Sequence, residues 1–267
     1  MRTALPASAR ILITGCSSGI GRALADELSA RGHHVLATAR NVATLEGCTA
    51  AERFALDVTS SRSIAALVDA TGPVDVVVNN AGLSIWGVVE ACDMEAVAAM
   101  FDTNVFGAMR VAKAYLPLMR ERGHGLILQI SSAAGRNVSP MVGWYAATKH
   151  ALEAASEALR LETAKFGVRV SCISLGAVAS ALADNRKNFD LPEYAEVTRH
   201  FRDRLMSRRS VPTSSEDAAR AIADALEDRG GAFRYDVTED SRAIVASRRA
   251  TSDADYEASL VKGLMDA

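Results

Sequence analysis

The sequence predicts an α/β fold built on a parallel β-sheet with helices on both faces, and three observations lead there. Short apolar runs recur at 11–14, 35–39, 53–56, 74–78, 125–130 and 168–173, with helical stretches between them, the alternation that builds parallel sheets. The run Val74-Asp75-Val76-Val77-Val78 is almost continuously β-branched, as a strand buried on both faces requires. A chain of 267 residues with 49% hydrophobic and 23% charged content is enough for one globular domain, residues 1–267, with a substantial core.

Taken in order, the first strand runs into T-G-C-S-S-G-I-G at 14–21, followed by a helical pattern through Arg22 to Leu28. Glycines at 15, 19 and 21 let the backbone turn sharply and approach a pyrophosphate, whose charge is favoured where a helix begins. The second strand ends in Thr38-Ala39-Arg40 and the fourth in Asn79-Asn80-Ala81-Gly82. Two long helices are predicted, over about 94–119 and 145–166, the second rich in alanine. Beyond residue 180 the pattern changes. The stretch 181–211, within a substrate-loop region of about 178–212, mixes charge with Leu182, Phe189, Leu191, Tyr194 and Phe201. It reads either as a helical flap over a site or as surface helices. A helix from 214 to 225 leads through Gly230-Gly231 to a short strand at 232–237, and the charged tail 241–267 is read as helical, with an exposed, partly frayed terminus or else folded over the site or a neighbouring subunit.

Composition excludes several classes. A net charge of −2 offers no basic footprint for nucleic acid and no polybasic patch for a membrane surface. No apolar segment is long enough for a signal peptide or a membrane span, so a cytoplasmic protein is expected. Cys16, Cys48, Cys92 and Cys172 lack metal or disulfide spacing, so no metal is expected; Cys16 is read as a small neutral filler of the glycine turn.

The chemistry concentrates in Y-A-A-T-K at 145–149. Four-residue spacing stacks the Tyr145 phenol beside the Lys149 ammonium on one helix face. A phenol with a pKa of about 10 is a poor catalyst near neutrality, and a neighbouring cation brings it toward the working range.

Taken together, T-G-C-S-S-G-I-G, N-N-A-G, Asn104, Ser132 in I-S-S, and Y-A-A-T-K resemble the short-chain dehydrogenase/reductase family over roughly residues 8 to 180. The resemblance implies a doubly wound Rossmann-type sheet of about seven strands in the order 3-2-1-4-5-6-7, the seventh near 232–237. It implies reversible hydride transfer between a nicotinamide and a carbonyl or alcohol. Tyr145 would be the acid in reduction and the base in oxidation. Lys149 would lower its pKa and hold the nicotinamide ribose, and Ser132 would bond the substrate oxygen while Ser131 points inward. Asn104 would anchor a water leading to Lys149, or be a satisfied buried amide. The dinucleotide would lie against Gly15, Ser17, Ser18, Gly19, Ile20 and Gly21, then Arg40, Asp57, Val58, Asn80, Ala81, Gly82, Gly176 and Val178. The faces around Asn104 and the Tyr145 helix would pair in a homodimer or homotetramer.

Selectivity between the two nicotinamide dinucleotides is readable in part. An NAD site offers a carboxylate at the end of the second strand, but no Asp or Glu occurs between Glu27 and Glu46. Arg40 can instead pair with a 2′-phosphate through its planar fork, with help from Arg22, so NADP(H) is expected. The chain departs from the family at Ser174-Leu175-Gly176, where Pro-Gly is usual, and at Ser180, where threonine is common. Its Phe233-Arg234-Tyr235 and charged tail replace the glycine-rich ending.

The leading expectation is an NADPH-dependent reductase of a lipophilic ketone or aldehyde, steroid-, retinoid- or polyketide-like. An NADP(H)-binding redox sensor without turnover, or a nucleotide-sugar epimerase or dehydratase, are the alternatives. Trp86, Val138, Met141, Val142 and Trp144 either line an apolar substrate pocket or pack in the core.

Overall fold

A computed structural model describes residues 5–179, 187–207, 212–228 and 231–265. Seven parallel strands form one sheet: β1 (Arg10–Ile13), β2 (His34–Ala39), β3 (Glu52–Ala55), β4 (Val76–Asn79), β6 (Gly125–Ile130), β7 (Val168–Ser174) and β9 (Arg234–Asp236). Their order is β3-β2-β1-β4-β6-β7-β9, the expected doubly wound sheet. Two three-residue strands were not foreseen: β5 (Ile85–Gly87) and β8 (Lys187–Phe189) pair in parallel as a separate small sheet.

Alternation of side chains puts successive strand residues on opposite faces. Ile11, Ile13, Val76, Val78, Leu126 and Leu128 pack with Leu24 and Leu28 of α1 (Gly19–Ala30) and with Ile222 and Leu226 of α7 (Ser215–Glu227). Leu12, Val77 and Ile127 face the other way, onto Ile64 and Leu67 of α2 (Ser61–Thr71) and Val111, Tyr115 and Met119 of α4 (Ala108–Arg122). Each such aliphatic side chain contributes about 1.5–3 kcal/mol through burial. Tyr115 is wholly buried, and its hydroxyl is satisfied by Thr71 Oγ1 at 2.7 Å.

The long helix expected over 94–119 is interrupted. It is α3 (Met94–Phe101), a π-helical segment Asp102–Gly107, and then α4. The wider π turn leaves Asn104 buried and aimed at the loop after β4. By contrast, α5 (Gly143–Thr163) runs as expected, closed by a 3₁₀ turn at Ala164–Phe166.

The tail is helical, as the sequence suggests, and residues 266–267 lie outside the described residues. It forms α8 (Glu239–Ala250) and α9 (Asp253–Met265). Ser241 and Val245 of α8 are buried, and Leu260 of α9 packs near Val88, Met141 and Phe201, the last on α6 (Ala195–Ser207). Tyr256 also donates its hydroxyl to the Val138 carbonyl. Only part of the region 178–212 is described; Ser180 and Leu182 lie outside the described residues.

Candidate active site

The turn between β1 and α1 is a cradle made of backbone. Gly15 and Gly19 adopt positive φ, +75° and +56°, which side chains rarely tolerate. A Cβ at Gly21 would lie 2.3 Å from the Gly15 carbonyl oxygen and 2.4 Å from Asn80 Nδ2, so only glycine lets α1 start this close to the turn. Ser18 occupies the N-cap in extended conformation, yet makes no side-chain cap bond, and the first turn of α1 carries no acid. The first N–H groups of the helix and its positive end are thereby left for an anion. Thr14 Oγ1 accepts from the Asn80 and Ala81 N–H groups at 3.0 Å each, and Asn80 Nδ2 donates to the Thr14 and Gly15 carbonyls, at 2.9 and 3.1 Å. The N-N-A-G segment is therefore bolted to the glycine turn. Cys16 is fully buried and its thiol is pushed up to about 12 by desolvation, which makes it inert filler.

Arg40 stands exposed at the end of β2. Arg22 does not stand beside it as a second free cation: its guanidinium donates to the Thr44, Glu46 and Cys16 carbonyls at 2.7, 3.2 and 3.4 Å. Arg22 braces the following loop. Asp57 Oδ1 accepts from the Thr59 hydroxyl and N–H at 2.7 and 2.9 Å, and these bonds hold its carboxyl below the usual range, with Arg40 adding a smaller pull. Val58, next to it, is buried against the π segment, where its Cγ2 would lie 2.8 Å from a Cβ on Gly107.

At the same carboxyl end of the sheet, the chain after β6 delivers Ser131 and Ser132 while α5 delivers Tyr145 and Lys149. Tyr145 is half-buried, and the Ser132 hydroxyl is the neighbour that pulls its phenol pKa down. Ser132 Oγ also contacts the Leu175 carbonyl at 3.2 Å, whereas Ser131 turns inward and donates to Glu153 at 2.7 Å. Lys149 is 6% exposed; its Nζ donates to the Ile130 carbonyl at 2.8 Å and lies 5.7 Å from the Tyr145 ring centre.

The electrostatics differ from the sequence expectation. Desolvation drives the Tyr145 phenol up to about 12, opposed by the Ser132 hydroxyl, while burial presses Lys149 down to about 8. The lysine is not among the causes acting on the phenol in the free protein. Tyr145 is thus held protonated near neutrality, the state of a proton donor.

Asn104 is a satisfied buried amide. Its Oδ1 accepts from the Leu83 N–H at 2.7 Å and its Nδ2 donates to the Leu83 carbonyl at 2.9 Å and to Thr148 Oγ1 at 3.1 Å. Through Thr148, which donates to the Tyr145 carbonyl at 2.7 Å, it ties the loop after β4 to α5. The leucine at 175 does not loosen the loop after β7. The Leu175 carbonyl accepts from Ala133 N–H, Gly176 N–H donates to Thr238 Oγ1 at 2.9 Å, and Ala177 N–H donates to Asp240 Oδ2 at 2.7 Å. Val178 bridges to Thr213. Sequence reasoning missed Thr238 and Asp240. The signal was present in Thr238 followed by Glu239 and Asp240, a helix-start pattern.

Of the candidate pocket residues, Trp144 and Tyr145 pack with Ile85, Val97, Met100 and Phe189. Met141 is 7% exposed and belongs to core packing, whereas Val138 is 47% exposed. Among the described residues there is no group of three or more His, Cys, Asp or Glu placed to hold a metal, and no helix long and apolar enough to cross a membrane.

A doubly wound sheet whose glycine turn presents an uncapped helix start, with a Ser-Tyr-Lys constellation beside it, defines a dinucleotide-dependent oxidoreductase. The family model described as short chain dehydrogenase matches residues 9–190, and the chain belongs to that family. A 3-ketodihydrosphingosine reductase of Bacteroides thetaiotaomicron is 38% identical over 185 residues, 68% of each chain. Human 17-beta-hydroxysteroid dehydrogenase type 1 is 34% identical over 253 residues, 86% of this chain and 77% of the relative. Among solved structures, a short-chain dehydrogenase from Streptomyces avermitilis superposes with a TM-score of 0.81 at 32% identity, covering 97% of this chain and 98% of the other. A 3-ketoacyl-(acyl-carrier-protein) reductase from Brucella melitensis, complexed with NADH, gives 0.71 at 26% identity, covering 85% and 96%. The cofactor of this protein is a nicotinamide dinucleotide.

Proposed function

We propose that this protein is an NADP(H)-dependent reductase of lipophilic ketones or aldehydes, able to run in reverse as an alcohol dehydrogenase. The observation that carries the reading is the gathering of Ser132 and Tyr145 with Lys149, which is buried one turn further along α5 with its Nζ 5.7 Å from the Tyr145 ring centre. The bound dinucleotide supplies the hydride. Negative charge then develops on the carbonyl oxygen, and the Ser132 hydroxyl stabilises it most in the transition state. Tyr145 Oη gives its proton to that oxygen. Lys149, still charged, stabilises the phenolate left behind, and in alcohol oxidation the same phenolate takes the proton back.

The residues present fit the dinucleotide. The Cβ-free cradle at Gly15 and Gly21 admits a pyrophosphate, flanked by Ser17, Ser18, Gly19 and Ile20. Asp57 and Val58 would border the adenine, and Asn80, Ala81, Gly82, Gly176 and Val178 the rest of the molecule. An exposed Arg40 where NAD-binding members offer an acid supports a 2′-phosphate and so NADP(H). The apolar side chains around Trp144 and Phe189, and the ketone-reducing and steroid-oxidising relatives, support a lipophilic substrate.

The test is a panel of lipophilic ketones and aldehydes assayed for NADPH and NADH consumption, with Arg40→Ala alongside. NADPH is expected to be preferred, and Arg40→Ala to raise its KM about 10- to 100-fold, as loss of a charge-assisted bond implies, with little change for NADH. Equal use of both dinucleotides by the wild type would remove the NADP(H) assignment. Tight dinucleotide binding with no turnover on any carbonyl would favour a sensor.

The assembly proposed is a homodimer or homotetramer formed through the π segment and α5, which expose Phe106 (54%) and Leu161 (74%). Sedimentation is expected to show it. A monomer at all concentrations would contradict it.

A further inference from the structure

One turn beyond Lys149 and two beyond Tyr145, α5 carries Glu153, which is only 2% exposed. Its Oε1 accepts from Ser131 Oγ at 2.7 Å, and its Oε2 accepts from Arg234 Nε at 2.8 Å with Arg136 Nε 3.8 Å away. Arg136 is also paired with Asp236 of β9, and Arg234 bonds Glu157 at 2.9 Å. The backbone comes so close at Gly135 that a Cβ there would sit 2.4 Å from Glu153 Oε1. One carboxylate therefore joins the end of β6, the catalytic helix and β9.

Such a buried ion cluster is poor value for stability, because desolvating the charges offsets most of their attraction, and an apolar substitute often does as well. Its position points elsewhere. Ser131 immediately precedes Ser132, the hydroxyl that acts on the Tyr145 phenol, and Lys149 lies one helical turn from the carboxylate.

We infer that Glu153 is a positioning residue for the proposed reaction: it anchors the β6 end through Ser131 so that Ser132 meets Tyr145, and it sets a negative charge behind Lys149. Of the groups around Lys149, Tyr145 and Glu153 come from α5, the Ile130 carbonyl from the end of β6, and Cys172 from β7. Arg136, Arg234 and Asp236 act from behind the carboxylate. Burial pulls Lys149 down, while Cys172 and Glu153 push the other way. The Cys172 thiol is itself driven up to about 12 by burial, so near neutrality it carries no charge and the carboxylate is the operative one.

The inference rests on the reductase reading for its kinetic arm alone. The chain holds five lysines, Lys113, Lys149, Lys165, Lys187 and Lys262, so a full-length sample with carbon-13 at the lysine Cε positions gives a simple spectrum. The Lys149 signal is assigned by its loss in Lys149→Arg. In wild type its titration midpoint is expected at about 8. Glu153→Gln is expected to lower the midpoint, Arg234→Gln to raise it, and Ser131→Ala to leave it in place. An unchanged midpoint in Glu153→Gln overturns the charge role, and if that variant does not fold, an unchanged midpoint in Arg234→Gln does so.

In carbonyl reduction, Glu153→Gln is expected to move the alkaline limb of the pH profile to lower pH. Ser131→Ala is expected to lower kcat about tenfold without moving the limb, as a small misplacement of Ser132 implies. A Ser131→Ala enzyme with wild-type kcat overturns the anchoring role. If the wild type reduces no carbonyl, the reductase reading fails while the lysine titration still decides the charge role.

Discussion

Tyr145→Phe is expected to lower kcat for carbonyl reduction by about 10²- to 10⁴-fold, the range that a positioned proton donor supplies, with dinucleotide affinity within about twofold of wild type. The ring and its contacts with Ile85, Met100 and Trp144 are kept, so only the hydroxyl is lost. Steady-state kinetics with a fluorescence titration of the dinucleotide separate the two effects. Undiminished turnover would remove Tyr145 from the mechanism. The wild-type pH profile carries a second signature. Lys149 is protonated below about 8 and neutral above it, so support for the phenolate disappears as pH rises, and reduction is expected to decline through that pH. The phenol, held up to about 12, remains a donor across the same window. A flat profile from pH 6 to 10 would contradict this assignment.

Gly21→Ala is the other large effect. The added methyl would meet the Gly15 carbonyl oxygen at 2.3 Å and Asn80 Nδ2 at 2.4 Å, and the first of these is backbone. The turn must open, at about 1–3 kcal/mol. That cost falls on the surface that receives the pyrophosphate, so affinity for the dinucleotide is expected to drop about 10- to 100-fold. Calorimetric titration measures the loss, and circular dichroism confirms that the sheet is retained. Wild-type affinity in a folded Gly21→Ala protein would show that the dinucleotide does not approach this turn.

The sheet was legible because each strand announces itself. Nearly continuous apolar runs such as 74–78 and 125–130 fit strands buried on two faces, and the intervening helical patterns match parallel crossovers. The glycine turn and the adjacency of Tyr145 and Lys149 on α5 were legible for a similar reason, since both geometries follow from local spacing. What escaped depended on distant partners. Nothing local marks the π segment at Asp102–Gly107, which is stabilised by the pairing of Asn104 with Leu83, 21 residues away. The short strands β5 and β8 are three residues each and join segments about a hundred residues apart. Arg22 looked available in sequence, but its donors go to loop carbonyls more than twenty positions downstream. The phenol environment was misjudged for an electrostatic reason. Adjacency of Lys149 suggested a lowered pKa, whereas desolvation, which no local spacing reports, is the larger influence.

A crystal structure of the ternary complex with NADP(H) and a ketone that the enzyme turns over tests the central claim most directly. Tyr145 Oη and Ser132 Oγ are both expected within hydrogen-bonding distance, about 2.6–3.2 Å, of the ketone oxygen. A ketone oxygen bound away from both hydroxyls, with another proton donor at its side, would contradict the account.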